Sequence, residues 1–208
     1  MSVDSSHPLL HTLLTNLSCP SVLGKSLKTV LSHVEKEQLF ADLRQARRFY
    51  RERISTLEAF DSAYRIKSLD SMLLKYDRYY PHFSIERTYN DILGLRIICP
   101  DYAQADALRA EYPQEFRHCA DMRDGKKCDD GYRGVHLYFQ ADHFHYPIEL
   151  QYNTAFDRRL NDWLHCYLYK RDAADIGAAL RKLYEQDKIR SEDEFRRDLY
   201  ALYRCEAP

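Results

Sequence analysis

Apolar and polar positions change their period along the chain, and each change marks an element. From Val34 to Thr56, Val34, Phe40, Leu43 and Ile54 stand among polar residues. That spacing predicts a helix with one buried stripe, and the first sixty residues as a whole read as helical. Ser68 to Tyr80 predicts a second helix, with Ser68 as N-cap and Asp70 in the first turn, where the helix dipole favours an acid. Ile92–Cys99 (ILGLRIIC) is short, apolar and β-branched between Asp91 and Pro100, the pattern of a buried strand. Tyr102 to Glu111 predicts a helix, and Asp121 to Gly131 (DMRDGKKCDDG) a loop. The period then falls to two. In Tyr132 to Gln140, Val135, Leu137 and Phe139 alternate with Tyr132, Gly134, His136 and Tyr138. In Pro147 to Asn153, Ile148, Leu150 and Tyr152 alternate with Glu149, Gln151 and Asn153. Residues 141–146 join these strands as a hairpin, so one sheet face is core and the other gathers Tyr, His, Glu and Gln. Helices close the chain at Phe156 to Lys170 and Glu192 to Tyr203. Strands set between helical blocks, without regular βαβ alternation or a GxGxxG, predict an α/β fold whose mixed sheet is flanked by helices.

Composition narrows the classes. Of 208 residues, 45% are hydrophobic and 30% charged, which excludes disorder. Lys and Arg number 31 against 32 Asp and Glu, a net charge of −1. No global field draws the chain to DNA or a membrane, so a polyanion would have to meet a local basic patch. No apolar run approaches the roughly 20 residues that span a bilayer, and MSVDSSHPLLHTLL lacks the cationic start of a signal peptide. A cytoplasmic protein is expected. Cysteines 19, 99, 119, 128, 166 and 205 form no CxxC pair and read as reduced, buried thiols. His143 and His145, even with His118 and Cys119, lack the spacing of a zinc site; a strand face gives His-x-His unaided.

Two groups carry candidate chemistry. Between Ala41 and Thr56, Arg44, Arg47, Arg48, Arg51 and Arg53 face only Asp42 and Glu52, and Arg44, Arg48 and Arg51 share a helix side. This is either a solvated face or an anion-facing stripe. The run RIKSLDSMLLK (65–75) places Arg65 and Lys67 before a helix start, with Ser71 and Lys75 on one face. Cations, a hydroxyl and a helix N-terminus together are a way to hold polyphosphate. Asp91 at a strand edge and Glu149 on a polar strand face are candidates to hold Mg²⁺ together with phosphate oxygens.

In order, the chain reads RIKSLDSMLLK (65–75), DILGLRI (91–97), GYRGVH (131–136), ELQ (149–151) and HCYLYK (165–170). These segments resemble the synthetase domain of the RelA/SpoT family, the makers of ppGpp and pppGpp, over about residues 60 to 170. The resemblance implies a nucleotidyltransferase-like sheet, ATP as donor, Mg²⁺, and transfer of the β,γ-pyrophosphate to a ribose 3′-hydroxyl. Arg65, Lys67, Ser71, Lys75 and Arg96 would hold ATP. Asp91 would bind the metal, and Glu149 would activate the hydroxyl or share the metal. Tyr132 would stack on the acceptor base, with His136, Gln151 and Arg133 contacting the acceptor. The implied division is helices over 1–56 packed on a synthetase core at 57–172, then helices over 173–208. No His-Asp pair occurs, so the chain resembles a small, synthetase-only member without the family's hydrolase.

The chain departs from the family pattern on the acceptor side. The pattern K-x-N-G-Y-R is here Cys128-Asp-Asp-Gly-Tyr-Arg, and E-x-Q-x-R-T is Glu149-Leu-Gln-Tyr-Asn-Thr154. A lysine has become Cys128, with Lys126 and Lys127 nearby; an Asn has become Asp130, and an Arg has become Asn153. Each lost charge-assisted phosphate contact costs about 1.5–3 kcal/mol. A weakened grip on a free 5′-phosphate matches the toxic branch of the family, which pyrophosphorylates the 3′-terminal adenosine of tRNA and is neutralised by an antitoxin. Lys25, Lys28, Arg44, Arg47 and Arg48 are then candidates for a tRNA track. Two alternatives stay open: alarmone synthesis on GDP, GTP or adenine nucleotides, and an inactive nucleotide- or RNA-binding module.

Overall fold

A computed structural model describes residues 7–58, 63–168 and 174–205. The helices are α1 (His7–Asn16), α2 (Lys36–Arg51), α3 (Ile54–Glu58), α4 (Leu69–Tyr79), α5 (Ile85–Thr88), α6 (Ala103–Glu111), α7 (Ala155–Leu168), α8 (Ala174–Glu185) and α9 (Glu192–Cys205). The strands are β1 (Ala63–Ile66), β2 (Leu93–Cys99), β3 (His118–Asp121), β4 (Val135–Phe139) and β5 (Ile148–Thr154). They form one five-stranded sheet in the order β1-β2-β5-β4-β3, with β1 antiparallel to β2 and Arg65 opposite Gly94. The expected mixed α/β sheet with flanking helices is thus present.

The chain divides into two compact units. The first holds residues 1–97, 103–119 and 136–151, and the second 98–102, 120–135 and 152–208. The N-terminal helices share a unit with most of the sheet.

In the first unit the apolar sets are buried as expected: Leu137, Phe139, Ile148 and Leu150, with Leu93 and Leu95 of β2. Glu149, between Ile148 and Leu150, is buried too, so β5 does not alternate, and β2 is not the fully buried strand expected, since Ile98 near its end is 50% exposed. Leu39, Leu43, Ala46 and Tyr50 form the buried stripe of α2. Asp42, which the sequence alone places on a solvated face, is buried on that same helix. Its carboxylate accepts from Ser21 Oγ (2.6 Å), the Val22 amide (2.9 Å) and the Tyr146 hydroxyl (2.8 Å). Three donors offset its desolvation, and it ties the segment after α1 to the hairpin. Burial first, then Asp42, pushes the Cys19 thiol up to about 12.

The second unit packs α7, α8 and α9 around Leu160, Leu164, Ile176, Leu180, Tyr184, Phe195 and Leu199. Thr154 starts α7: its hydroxyl accepts from the Asp157 amide (3.0 Å) and donates to the Asp157 carboxylate (2.7 Å). The expectation of buried thiols holds for Cys19 and Cys99 but not for Cys128 and Cys166, which are exposed on a loop and a helix. Lys170, the last residue of the HCYLYK segment, and Cys205's side chain lie outside what is described.

Candidate active site

The donor cluster forms where β1 runs into α4, in the first unit. Ser68 caps α4 by accepting from the Ser71 amide (3.2 Å), and its hydroxyl donates to Ser71 Oγ (2.9 Å). The cap fixes the first turn and so aims Lys75, one turn beyond Ser71, toward the strand edge. Asp91, just before β2, receives the Lys67 ammonium on Oδ2 and the Lys75 ammonium on Oδ1 at 2.9 Å, while Arg65 Nη2 lies 4.0 Å from Oδ2. Four of the residues picked from the sequence therefore meet. Three cations share one carboxylate, and Lys67 is only 6% exposed.

The electrostatics follow from that imbalance. Burial pushes the Asp91 carboxyl up, but Lys75 and Lys67 outweigh it, and the group lies below the ordinary carboxylate range. Burial pulls the Lys67 ammonium down; Asp91 opposes this, and Lys75 and Arg65 add to it. One anion does not saturate the cluster. Arg96, on β2, has a buried Nε without a hydrogen-bond partner, a second unmet cationic donor. An unmade bond of this kind costs about 1–3 kcal/mol until an acceptor arrives.

Glu149 lies on β5, next to β2, and is 8% exposed. Its Oε1 lies 3.2 Å from His136 Nδ1 and accepts from the Tyr138 hydroxyl (3.4 Å), and its Oε2 accepts from Gln151 Nε2 (2.7 Å). Burial pushes this carboxyl up, the His136 contact pulls it down, Asp91 pushes it up again and Gln151 lowers it; the net is below the ordinary range. Glu149 and Asp91 thus feel each other as like charges. Gly94 makes room for Glu149, since a Cβ there would stand 3.3 Å from Oε2. Glu149, His136 and Gln151 come together as expected. Tyr138 and Gly94 were not singled out in the sequence, although a glycine inside an apolar strand signals a close approach.

The second unit carries the Tyr132 loop. Gly131 takes φ +82°, and its backbone packs on that of Gly177, where a Cβ on either residue would clash. Arg181, 1% exposed, donates to the Gly131 carbonyl (2.8 Å), Asp157 (2.8 Å) and Asn161 (3.3 Å). Asn161 and Asn153 both donate to the Arg133 carbonyl, at 2.7 and 2.9 Å. Arg133 is committed inside the loop by a two-pronged pair to Asp129 (2.7 and 3.0 Å). Lys126 pairs with Asp130 (2.6 Å), and its ammonium lies 5.0 Å from the centre of the Tyr132 ring. Arg181 and Asn161 were invisible to motif reading because their partners are backbone groups of a distant loop.

The candidates for a tRNA track have separate surroundings. Arg47 Nε donates to the Lys67 carbonyl (2.8 Å) and so braces the donor cluster. Arg44 and Arg48 line a separate groove with Glu52 and Phe49. Lys25 donates to the His33 carbonyl (3.1 Å), and Lys28 lines a different cavity. Asn153, which replaces an expected arginine, is fully buried with its amide on a backbone carbonyl. It is a loop support.

No protein-family model matches the chain, and no curated protein does. Several solved structures are similar. The small alarmone synthetase 1 of Bacillus subtilis bound to its product pppGpp is 18% identical, with 72% of this chain and 87% of that chain covered and a TM-score of 0.45. The small alarmone synthetase 2 of B. subtilis is 18% identical over 74% and 95%, TM-score 0.45. A GTP pyrophosphokinase family protein of Streptococcus pneumoniae is 16% identical over 82% and 90%, TM-score 0.41.

Among the described residues no group of three or more His, Cys, Asp or Glu is placed to hold a metal. Asp91 and Glu149 nevertheless fit Mg²⁺ that arrives with a nucleotide, because Mg²⁺ usually takes one or two carboxylates and completes its shell with phosphate and water. Lysines now on Asp91 would then turn to the phosphates.

Proposed function

We propose that the chain is an ATP-dependent pyrophosphotransferase that moves the β,γ-pyrophosphate of ATP onto a ribose 3′-hydroxyl. The observation that carries this is the cluster of Arg65, Lys67 and Lys75 on the single carboxylate of Asp91, electrostatically coupled to a buried Glu149. Phosphoryl-type transfer needs charge neutralisation and in-line positioning more than an acid–base relay. In this reading Arg65, Lys67, Lys75 and Arg96 take the charge of the triphosphate, and Ser71 adds a hydroxyl. Asp91 and Glu149 would hold Mg²⁺ brought by the nucleotide, which would supply further charge neutralisation. Glu149, fixed by His136 and Gln151, either accepts the proton of the attacking hydroxyl or shares the metal. Tyr132 keeps the base-stacking role that the resemblance gives it.

Two acceptors remain, and the loop favours one. Lys126 stands beside Tyr132 but is paired with Asp130; 5′-phosphates that displace this carboxylate gain its charge, and on that exchange rests the first reading, an alarmone-type product on GDP, GTP or an adenine nucleotide. The tRNA 3′-terminal adenosine, with a toxin role and a protein antitoxin, is the second. It rests on Cys128 and Asp130 and on the exposed Arg44 and Arg48. The test is incubation with γ-labelled ATP, Mg²⁺, GDP, GTP, AMP, ADP and bulk tRNA, followed by separation by size. Label on a small nucleotide, reduced at least tenfold by Lys126→Ala, supports the first reading. Label on tRNA, reduced by reversing Arg44 and Arg48, supports the second. No label on any acceptor overturns pyrophosphotransfer and leaves the binding-module reading.

A further inference from the structure

Arg44, Arg47, Arg48, Arg51 and Arg53 follow one another on and just after α2, yet they do different things. Arg44, Arg48 and Arg51 are exposed. Arg53 donates back to the Phe49 carbonyl (3.1 Å), and its guanidinium covers the Phe49 ring. Among the described residues, Arg47 is the one of the five that bonds to another element: half-buried, it donates Nε to the Lys67 carbonyl at 2.8 Å. α2 is a firm base for that reach, because Leu39, Leu43, Ala46 and Tyr50 bury its inner face and it packs on β1. The carbonyl that Arg47 holds is a junction within the first unit. The Lys67 amide donates to the Ile92 carbonyl (2.9 Å), one residue past Asp91, so the Lys67 backbone is held on both sides. The next residue, Ser68, caps α4 and sets the first turn, with Ser71 in it.

Like charges crowd this junction. Lys67 sits with Lys75 and Arg65 around the one carboxylate of Asp91. The charges that Arg47 itself feels are Arg51 and, in the first turn of α4, Asp70. A triphosphate would draw Lys67 and Lys75 off Asp91, and the backbone of Lys67 then fixes how far its ammonium reaches. A hydrogen bond from a charged donor is among the stronger ways to hold that backbone against the repulsion. We propose that Arg47 is a positioning residue for the triphosphate: through the Lys67 carbonyl it sets the reach of the Lys67 ammonium and the placement of the first turn of α4. This role rests on the pyrophosphotransfer reading and is the same whichever acceptor is used. It moves Arg47 from the tRNA candidates to the donor side.

The test uses three variants of the full chain. Arg47→Met keeps the stem and removes the donor, Arg47→Lys restores one donor, and Arg51→Ala removes the neighbouring charge. Each is read by steady-state transfer from labelled ATP and by isothermal titration with α,β-methylene ATP, which cannot give up its pyrophosphate. In Arg47→Met the KM for ATP and the Kd of the analogue should both rise at least about tenfold, while the acceptor KM stays within about twofold. Arg47→Lys should recover part of the loss, and Arg51→Ala should leave both ATP constants unchanged. A merely structural role would lower the melting temperature of Arg47→Met and leave both ATP constants where they were, which overturns the proposal. It is also overturned by an acceptor KM that rises as far as that for ATP, by an Arg51→Ala that matches Arg47→Met, or by no recovery in Arg47→Lys. A wild-type chain that transfers nothing but binds the analogue overturns pyrophosphotransfer, and the titrations still decide on Arg47. Should Arg47→Met fail to fold, Arg47→Gln replaces it: weaker analogue binding supports the proposal, and unchanged binding overturns it.

Discussion

Asp91 carries three cations on one carboxylate, so its two obvious substitutions ask different questions. Asp91→Ala strands the nearly buried Lys67 without a counter-charge, and removing one partner of a buried pair costs about 3–5 kcal/mol. Asp91→Asn keeps shape and an acceptor oxygen. It should melt closer to wild type than Asp91→Ala while losing transfer activity at least about a hundredfold, which thermal melts and the labelled-ATP assay would show together. Equal melting of the two variants would contradict a role of the Asp91 side chain as an acceptor for Lys67 and Lys75. The pH dependence has a definite sign. Asp91 and Glu149 titrate below their ordinary values of 3.8 and 4.5 in the folded chain. Their stabilisation is therefore complete above those values and is lost as pH falls through the lowered ones. Melting temperature should drop on acidification from pH 5 to pH 3, with a shallower drop in Glu149→Gln. Much of this candidate site was legible: Arg65, Lys67, Lys75, Asp91 and Glu149 stood out by type and spacing, and the resemblance added His136 and Gln151. The intended role of Arg47 was not, because its partner is a backbone carbonyl that no side-chain pattern reveals.

At the scale of elements, β2 and β5 act as a matched pair through Gly94. A methyl there would push the Glu149 carboxylate by a few tenths of an ångström, and reacting groups displaced on that scale lose rate steeply. Gly94→Ala should lower activity about tenfold while leaving the melting temperature at or above wild type, since alanine suits a strand better than glycine. A fully active Gly94→Ala would separate Glu149 from the chemistry. Most of the long elements were readable because each has a burial stripe: α2, α4 and β4 follow their periods, and Ser68 caps as its side chain predicts; β5 keeps its apolar period but buries Glu149 and Asn153 as well. The four-residue strands β1 (AYRI) and β3 (HCAD) were not, since β3 has no apolar face and β1 offers only Tyr64 and Ile66, too short a run to show a period. The start of β4 also moves from Tyr132 to Val135. The positive φ at Gly131 and the packing of the Tyr132 loop hold residues 132–134 out of the strand.

For the whole molecule, the C-terminal helices do more than fill out the fold. Arg181 of α8 reaches the loop carbonyl of Gly131 as well as Asp157 and Asn161 of α7. Arg181→Ala should destabilise the chain by about 3 kcal/mol, read by denaturant unfolding, and raise KM for the acceptor more than for ATP; equal effects on both would give Arg181 a purely structural role. A net charge of −1 also separates the acceptors. A tRNA reaction must depend on local patches, so its rate should fall steeply with added salt, whereas nucleotide transfer should change little. All of this turns on whether a diphosphate moves intact. The most direct measurement is ³¹P NMR of the wild-type chain with ATP, Mg²⁺ and the accepted nucleotide. AMP should appear in equal amount to a new 3′-diphosphate ester, and both should vanish in Asp91→Asn and Glu149→Gln. ADP with a 3′-monophosphate, or an ATP spectrum that does not change, would contradict the account.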